Sequence, residues 1–243
     1  MTLPLAIFWI FIVSVFGLLG AWYARRYGRP DALIAFYVTL VIFSNIAVSK
    51  TIVFDLGFTE LYAPAAVLIF SVTFLLTDIV NERFGKRETQ RMILIALFAQ
   101  IALVLFSYLV LKARGAPFFQ NQPAFEALLG NVPRVVAASL IAFFVSENFD
   151  AQLFHWFKKL TGGRHLWMRN AFSSLPAMLL DSALFISLAF YGVMPVVPLI
   201  IGLSVTKWLV GIVDIPFMYL SRAVIGKHSS ESHVEAPLPH SGV

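Results

Sequence analysis

Long apolar runs alternate with short polar connections along the whole chain. A helix needs about 20 predominantly apolar residues to cross a bilayer, and seven stretches of the chain meet that requirement. They lie at Leu3–Tyr23, Ala32–Val53, Leu61–Val80, Met92–Leu111, Val132–Phe154, Asn170–Tyr191 and Pro195–Leu220. The pattern predicts an all-α fold, a polytopic membrane bundle of seven transmembrane helices.

The composition agrees with a protein that lies in a membrane. Hydrophobic residues make up 59% of the chain and charged residues only 13%, with a mean hydropathy of +0.83. A soluble domain has about 25% charged residues, so the 243 residues leave no room for a sizeable soluble domain. We predict one integral membrane domain over residues 1–226 and a polar, disordered tail, rich in Ser, His and Pro, over 227–243.

Basic residues mark alternate connections between the predicted spans. They cluster at 25–29, 83–91, 158–169 and 222–227, whereas the intervening connections carry acidic, mixed or no charge. Because cytoplasmic loops are enriched in Lys and Arg, we expect the N-terminus outside, the C-terminus in the cytoplasm, and the protein in the plasma (inner) membrane. The first span has no basic residue before it, which predicts an uncleaved helix rather than a secretory signal.

A polar stretch stands at the end of the third predicted span. Thr77 and Asn81 are four residues apart, and so are Asp78 and Glu82, which places the four side chains around one helical turn. A carboxylate at such a depth requires partners, which makes the stretch a functional candidate. The alternative is an ordinary helix end, in which Glu82 pairs with a nearby basic residue and Gly85 terminates the helix.

Further polar residues lie inside or at the ends of the predicted spans. Asp181 and Lys207 both fall near the membrane midplane, and the best partner for a buried lysine is a carboxylate at the same depth. The two form either a polar core for a substrate or a structural ion pair that tightens the bundle. Carboxylates expected toward the cytoplasmic side are Asp78, Glu82, Glu147, Asp150 and Asp214, and neutral polar residues are Asn45, Gln152 and Asn170. Gln100, the most polar residue of the fourth span, is interpreted as scaffold that either faces lipid or packs against another helix.

Several classes of protein are excluded by what the sequence lacks. It has no cysteine, which removes disulfides, thiolate metal sites and cysteine nucleophiles. It has no Gly-rich phosphate loop, no His-Glu-x-x-His and no Gly-x-Ser-x-Gly, so neither an ATPase nor a hydrolase is indicated. His155 and His165 lie in a basic loop without further metal ligands spaced around them. We therefore expect a protein that is not an enzyme and that holds neither a metal nor a cofactor.

Two motifs give the chain a family resemblance. Thr77-Asp78-Ile79-Val80-Asn81-Glu82 and Leu166-Trp167-Met168-Arg169-Asn170, taken together, resemble the queuosine precursor transporter family, also called the vitamin uptake transporter family. Further matching pieces are Ser44-Asn45 with Lys50, Asp181-Ser182, Phe190-Tyr191-Gly192, Lys207 and Asp214. These pieces run from about residue 35 to residue 222, which predicts a family-like core over about 32–222.

The resemblance implies a six-helix core similar to vitamin-binding membrane subunits, so that Leu3–Tyr23 is an additional N-terminal helix. It also implies import of 7-deazaguanine precursors of queuosine or archaeosine, such as 7-cyano-7-deazaguanine. The chain departs from the family at Glu147 and Met178, where Gln is usual, and Pro176 is unusual in the same segment. These departures leave the identity of the transported base open.

A guanine-like base suits the polar residues of the spans. A carboxylate can accept its N1–H and exocyclic amine, Lys or Asn can donate to its O6, and aromatic rings can stack on its face. The predicted partners are therefore a small planar heterocycle and the lipid bilayer, without nucleic acid, while homo-oligomerisation stays open. A rival hypothesis is a subunit that binds a vitamin-like ligand and works with a separate ATP-driven partner. The predicted substrate-binding residues are Asn45, Asp78, Asn81, Glu82, Glu147, Asp150, Asn170, Asp181 and Lys207.

Overall fold

A computed structural model describes residues 3–55, 57, 59–160 and 166–209, most of them helical. Two short strands, β1 Thr51–Asp55 and β2 Glu60–Pro64, lie between the second and third helices. The predicted tail and the last part of the seventh predicted span lie outside the described residues. The helices of the described part are α1 Leu3–Tyr27, α2 Asp31–Ala47, α3 Val67–Phe84, α4 Lys86–Lys112, α5 Gln122–Leu129, α6 Val132–Leu160, α7 Leu166–Phe190 and α8 Val196–Leu209.

Each predicted span overlaps one of these helices, and among the described helices only the short α5 is not anticipated by the sequence pattern. Among the described residues, three helical runs are long and apolar enough to cross a membrane, namely Ile7–Tyr27, Lys86–Lys112 and Gln122–Asp150. Shorter apolar helices accompany them at Asp31–Ala47, Val67–Asn81, Leu175–Phe190 and Val196–Leu209. The architecture is a membrane helical bundle, while the count of seven complete crossings stays a prediction.

The outer surface of the bundle is strongly apolar. Phe98 and Phe106 of α4 are 60% and 64% exposed, and Phe144 of α6 is 70% exposed. Soluble proteins rarely expose contiguous apolar surface on this scale, whereas lipid tails are themselves as apolar as these side chains. The exposed rings therefore agree with the predicted multi-pass membrane protein.

A β-hairpin occupies the connection at which two helical spans are predicted to end and begin. β1 and β2 pair antiparallel, with Thr51 opposite Pro64 at the end of the ladder nearest the helices. The β-branched residues at the start of β1 favour a strand over a helix, and Gly57, with a φ of 82°, permits the reversal of the chain. The prediction of helix as far as Val53, and again from Leu61, is therefore wrong at these two ends.

Two apolar clusters hold the bundle together. One joins α1 to α2, α3 and α4, and in it a Cβ at Gly20 would lie 2.4 Å from Leu33 Cδ2, so the glycine allows a close approach of α1 and α2. Small residues at helix contacts are the usual means of close packing in membranes. The other cluster fixes the hairpin beside the C-terminal end of α7 and the first turns of α8, an end of the bundle that we term the hairpin end. Its members include Ala63, Val135, Ile186 and Leu203.

An arginine sets the register between α6 and α7. The Nε–H of Arg134 donates to the carbonyl oxygen of Leu188, and its Nη2 donates to that of Tyr191, both at 2.8 Å. The last carbonyl groups of a helix lack partners within the helix and carry partial negative charge, so a guanidinium satisfies both conditions. This contact at the hairpin end holds the two helices in one alignment along their length.

Candidate functional site

An ion pair joins α7 and α8 inside the bundle. The ammonium group of Lys207 donates to Oδ2 of Asp181, and the two side chains are only 12% and 25% exposed. The sequence predicts this partnership from the similar depth of the two residues, and the structure brings them together. A lysine withdrawn from water retains its charge at an acceptable free energy only when a carboxylate lies beside it.

A serine of α6 completes this polar core. The Ser146 hydroxyl lies 3.3 Å from Oδ1 of Asp181 and 3.2 Å from the carbonyl oxygen of Phe143, and Ser146 is 6% exposed. The Asp181 carboxylate therefore meets Lys207 on one oxygen and Ser146 on the other. The sequence does not single out Ser146, because a lone serine in an apolar span commonly bonds only to its own helix. We use the term polar core for Ser146, Asp181 and Lys207.

Two further carboxylates of α6 lie close to the polar core. Glu147 follows Ser146 directly, and the negative charges of Asp150 and Asp181 both act on it. Asp150 lies one helical turn beyond Ser146, and its Oδ1 is buried without a hydrogen-bond partner. Of the carboxylates that the structure describes, Lys207 pairs with Asp181 alone, while Glu147 is exposed. The carboxylates of Glu147 and Asp150 therefore keep acceptor capacity for a ligand that carries N–H donors.

A second polar contact joins α2 to α4. The side-chain amide of Asn45 donates to Oε1 of Gln100 at 3.3 Å and to the carbonyl oxygen of Val41 at 3.1 Å. Asn45 and Gln100 are 6% and 8% exposed, so both amides are withdrawn from lipid and water. The scaffold interpretation of Gln100 holds in the sense of packing rather than of facing lipid. The sequence does not predict the hydrogen bond that Gln100 accepts from Asn45, because the two residues are 55 positions apart.

The polar stretch at the end of α3 resembles a helix end in the structure. The hydroxyl of Thr77 donates to the carbonyl oxygen of Thr73 at 2.9 Å, and the backbone N–H of Gly85 donates to the carbonyl oxygen of Asn81 at 3.0 Å. Gly85 has a φ of 82°, which stops the helix. Asp78 and Asn81 are exposed. The geometry therefore favours the helix-end interpretation for Asn81, and a role of Asp78 in binding stays a prediction.

Some predicted residues lie beyond what the structure describes. These are the side chains of Glu82 and Asn170 and all of Asp214. Gln152 is exposed. Within the described part of the chain, no three His, Asp or Glu side chains form a group that could hold a metal ion. What the described residues form is a set of buried donors and acceptors inside an apolar bundle, an arrangement suited to binding a polar molecule within the membrane.

The sequence matches known proteins over most of its length. Residues 64–221 match the family described as "Putative vitamin uptake transporter". Over 225 residues, 90% of this chain and 95% of the other, it is 25% identical to the "Probable queuosine precursor transporter" of Bacillus subtilis (strain 168). No solved structure matches the chain. The family match includes the whole polar core, from Ser146 to Lys207.

Proposed function

Because the chain belongs to the vitamin uptake transporter family, we propose that it imports a 7-deazaguanine-type precursor of queuosine or archaeosine, such as 7-cyano-7-deazaguanine, across the plasma membrane. The 25% identical relative is named for queuosine precursors, which supports this class of cargo. The proposed orientation places the N-terminus outside and the C-terminus in the cytoplasm. It follows from the basic residues where α3 ends and α4 begins, among them Lys86 and Arg87 in the first turn of α4.

The observation that carries the proposal is the ion pair of Asp181 and Lys207 in the interior of a bundle whose exterior is apolar. Two charges at membrane depth cost free energy, and replacement of such a pair by apolar residues is often neutral or stabilising. A charge pair that stability does not require is explained by function, and intramembrane ionisable residues commonly mark the path of a transported molecule.

The chemistry around the ion pair fits one edge of a guanine-like base. The carboxylates of Glu147 and Asp150 can accept the N1–H and the exocyclic amine, which point in the same direction from the ring. Lys207 can donate to a carbonyl oxygen. A flat base also stacks on aromatic rings, and the chain supplies 24 Phe.

The residues proposed to contact the cargo are those predicted from the sequence. The polar core supplies Asp181 and Lys207, and the same layer of α6 supplies Glu147 and Asp150. The remaining members are proposed on the resemblance, and they lie in α2, α3 and the first turns of α7. The full set is Asn45, Asp78, Asn81, Glu82, Glu147, Asp150, Asn170, Asp181 and Lys207.

The experiment that tests the proposal is uptake by the purified chain alone in liposomes. Radiolabelled 7-cyano-7-deazaguanine should accumulate inside vesicles that contain the protein and not in empty vesicles, and unlabelled 7-deazaguanine should compete whereas adenine should not. Adenine is the matched competitor because it replaces the carbonyl and N1–H of guanine by an amine and a bare ring nitrogen. Absence of uptake and of specific binding by the folded protein would contradict the proposal.

The rival hypothesis, a ligand-binding subunit that depends on an ATP-driven partner, gives a different result in the same vesicles. Such a subunit would bind the base but would not move it without the partner and ATP. Accumulation in liposomes that contain only this chain therefore excludes the rival, whereas tight binding without accumulation supports it.

A further inference from the structure

One hydroxyl of α8 lacks the hydrogen bond that helical hydroxyls normally make. Thr206 is only 3% exposed, yet its Oγ1 has no partner. Ser204 of the same helix is 2% exposed and donates to the carbonyl oxygen of Ile200 at 2.7 Å. Ser182 bonds to its own helix in the same way, at 2.9 Å. A buried polar group without a partner is costly and rare in proteins, so it indicates a partner that binds from elsewhere.

Thr206 lies between the polar core and the hairpin. It directly precedes Lys207, whose side chain reaches Asp181 on α7. It follows Gly202 by one helical turn, and Gly202 contacts the backbone of Tyr62 in β2. Since residues four apart share a face of a helix, Thr206 stands on the face of α8 that is turned into the bundle below the hairpin. Consecutive side chains point about 100° apart around a helix, so a molecule that reaches both Lys207 and the Thr206 hydroxyl extends around this face of α8.

A second buried atom without a partner lies on α6, near the polar core. It is Oδ1 of Asp150, which shares a face of α6 with Ser146 and so lies one turn from the contact of Ser146 with Asp181. The indole nitrogen of Trp208 also lacks a partner, but two positions along a helix turn it to a different face from Thr206. Asp150 and Thr206 are therefore each within one helical turn of a member of the polar core, on α6 and on α8.

The two groups require complementary partners. A carboxylate oxygen can only accept, so Asp150 needs a donor, whereas the Thr206 hydroxyl can donate to an acceptor. A lactam edge, in which a ring N–H adjoins a carbonyl, supplies both from neighbouring atoms. The N1–H and O6 of a 7-deazaguanine form such an edge.

We propose that Thr206 contacts the transported base and donates a hydrogen bond to the carbonyl oxygen of its lactam edge, while Asp150 accepts the adjacent N–H. This inference rests on the proposed function and deepens it, because it names a residue that recognises the cargo. Thr206 then distinguishes a 7-deazaguanine from an analogue that carries hydrogen in place of the carbonyl oxygen.

The test measures the affinity of the purified full-length protein for 7-cyano-7-deazaguanine. Thr206→Val removes the hydroxyl at nearly constant shape and should weaken binding about fivefold, the factor expected for one hydrogen bond between neutral groups. Thr206→Ser should bind as the wild type does. Ser204→Ala is the matched control, because it removes a buried hydroxyl that bonds to its own helix, and it should leave the affinity unchanged.

Two further measurements separate recognition from a structural role. The wild type should bind 2-amino-7-cyano-7-deazapurine, which lacks the carbonyl oxygen and with it the N1–H, more weakly than the parent base. The part of this preference that is due to the carbonyl oxygen, about fivefold, should be lost in Thr206→Val. The melting temperature of Thr206→Val without ligand should not fall, because the lost hydroxyl has no partner. A lowered melting temperature, or wild-type affinity and preference in Thr206→Val, overturns the role of Thr206 alone. Failure of the wild type to bind the base overturns the proposed function as well.

Discussion

The backbone carbonyl of Tyr62 in β2 lies directly against the α carbon of Gly202 in α8. A Cβ at position 202 would come within 1.9 Å of the Tyr62 oxygen and 2.8 Å of its nitrogen. The atoms in the way belong to the backbone of the hairpin, which cannot turn aside as a side chain can. The hairpin and α8 therefore pack backbone to backbone, and only glycine permits this contact.

Substitution of Gly202 by alanine should displace the hairpin from α8. We expect Gly202→Ala to lower the free energy of unfolding by about 1–3 kcal/mol or more, the usual cost of overpacking. The measurement is the melting temperature of the purified protein in detergent, together with the yield from membranes. Ile201→Ala is the control, since Ile201 lies next in sequence and is 53% exposed. Equal stability of the two variants would show that the hairpin and α8 do not hold this contact.

The ion pair of Asp181 and Lys207 predicts a characteristic pattern of mutant effects. Asp181→Asn and Lys207→Met should each reduce folding yield or uptake, because each leaves one buried charge without its partner. The double variant should recover part of the folding yield, since no unpaired charge remains. Uptake should stay low in the double variant if the pair also holds the cargo.

A double-mutant cycle on yield and melting temperature measures the coupling between the two residues. Ser146→Ala serves as a milder comparison, since it removes one hydrogen bond to Asp181 and leaves the ion pair intact. Its expected effect is about 0.5–1.5 kcal/mol. Strictly additive losses for Asp181→Asn and Lys207→Met would argue that the two side chains never meet.

The sequence predicts those contacts that depth within the membrane determines. Asp181 and Lys207 can be matched because each lies near the middle of an apolar run, and the bilayer makes a charge at that depth seek a partner. The positions of the helices follow from the length of the apolar runs for the same reason. The sequence alone therefore predicts the helix positions and the pairing of Asp181 with Lys207, because the bilayer constrains both.

Contacts that depend on the tertiary arrangement are not predicted. The bond from Asn45 to Gln100 depends on which faces of α2 and α4 meet, and one sequence does not specify those faces. The hairpin is missed because a short apolar stretch is compatible with both strand and helix. Thr206 is missed because only the structure distinguishes a hydroxyl without a partner from one that bonds to its own helix.

The proposed orientation predicts which positions an impermeant thiol reagent reaches in intact cells. The chain has no cysteine, so single cysteines give no background. Glu60→Cys, at the start of β2, should be labelled from outside, whereas Lys86→Cys, at the start of α4, should react only after the membrane is opened. Both positions are exposed. Labelling of the Lys86 variant in intact cells would contradict the proposed orientation, because it would place the start of α4 outside.

The last prediction concerns the edge of the base that Glu147 is proposed to bind. If the Glu147 carboxylate accepts N–H donors of a 7-deazaguanine, a glutamine in its place puts its NH2 group against one of those N–H groups, and two donors then face each other. Such a mismatch costs about 1–3 kcal/mol, and more when the lost acceptor is charged. Uptake of 7-cyano-7-deazaguanine by Glu147→Gln should therefore fall about tenfold or more at unchanged protein abundance. Asp150→Asn should behave similarly, since its Oδ1 has no partner of its own.

Glu126→Gln is the matched control, because Glu126 is exposed on α5 and its Oε1 accepts a hydrogen bond only from Gln122, at 2.7 Å. This change should leave uptake as it is. Normal uptake by Glu147→Gln would show that Glu147 is only a solvated residue of α6 and would move the recognition of the base to Asp150 or Asp78. If neither Glu147→Gln nor Asp150→Asn affects uptake, and no guanine-like base competes with the cargo, the carboxylates of α6 do not bind a guanine edge, and the 7-deazaguanine assignment is wrong.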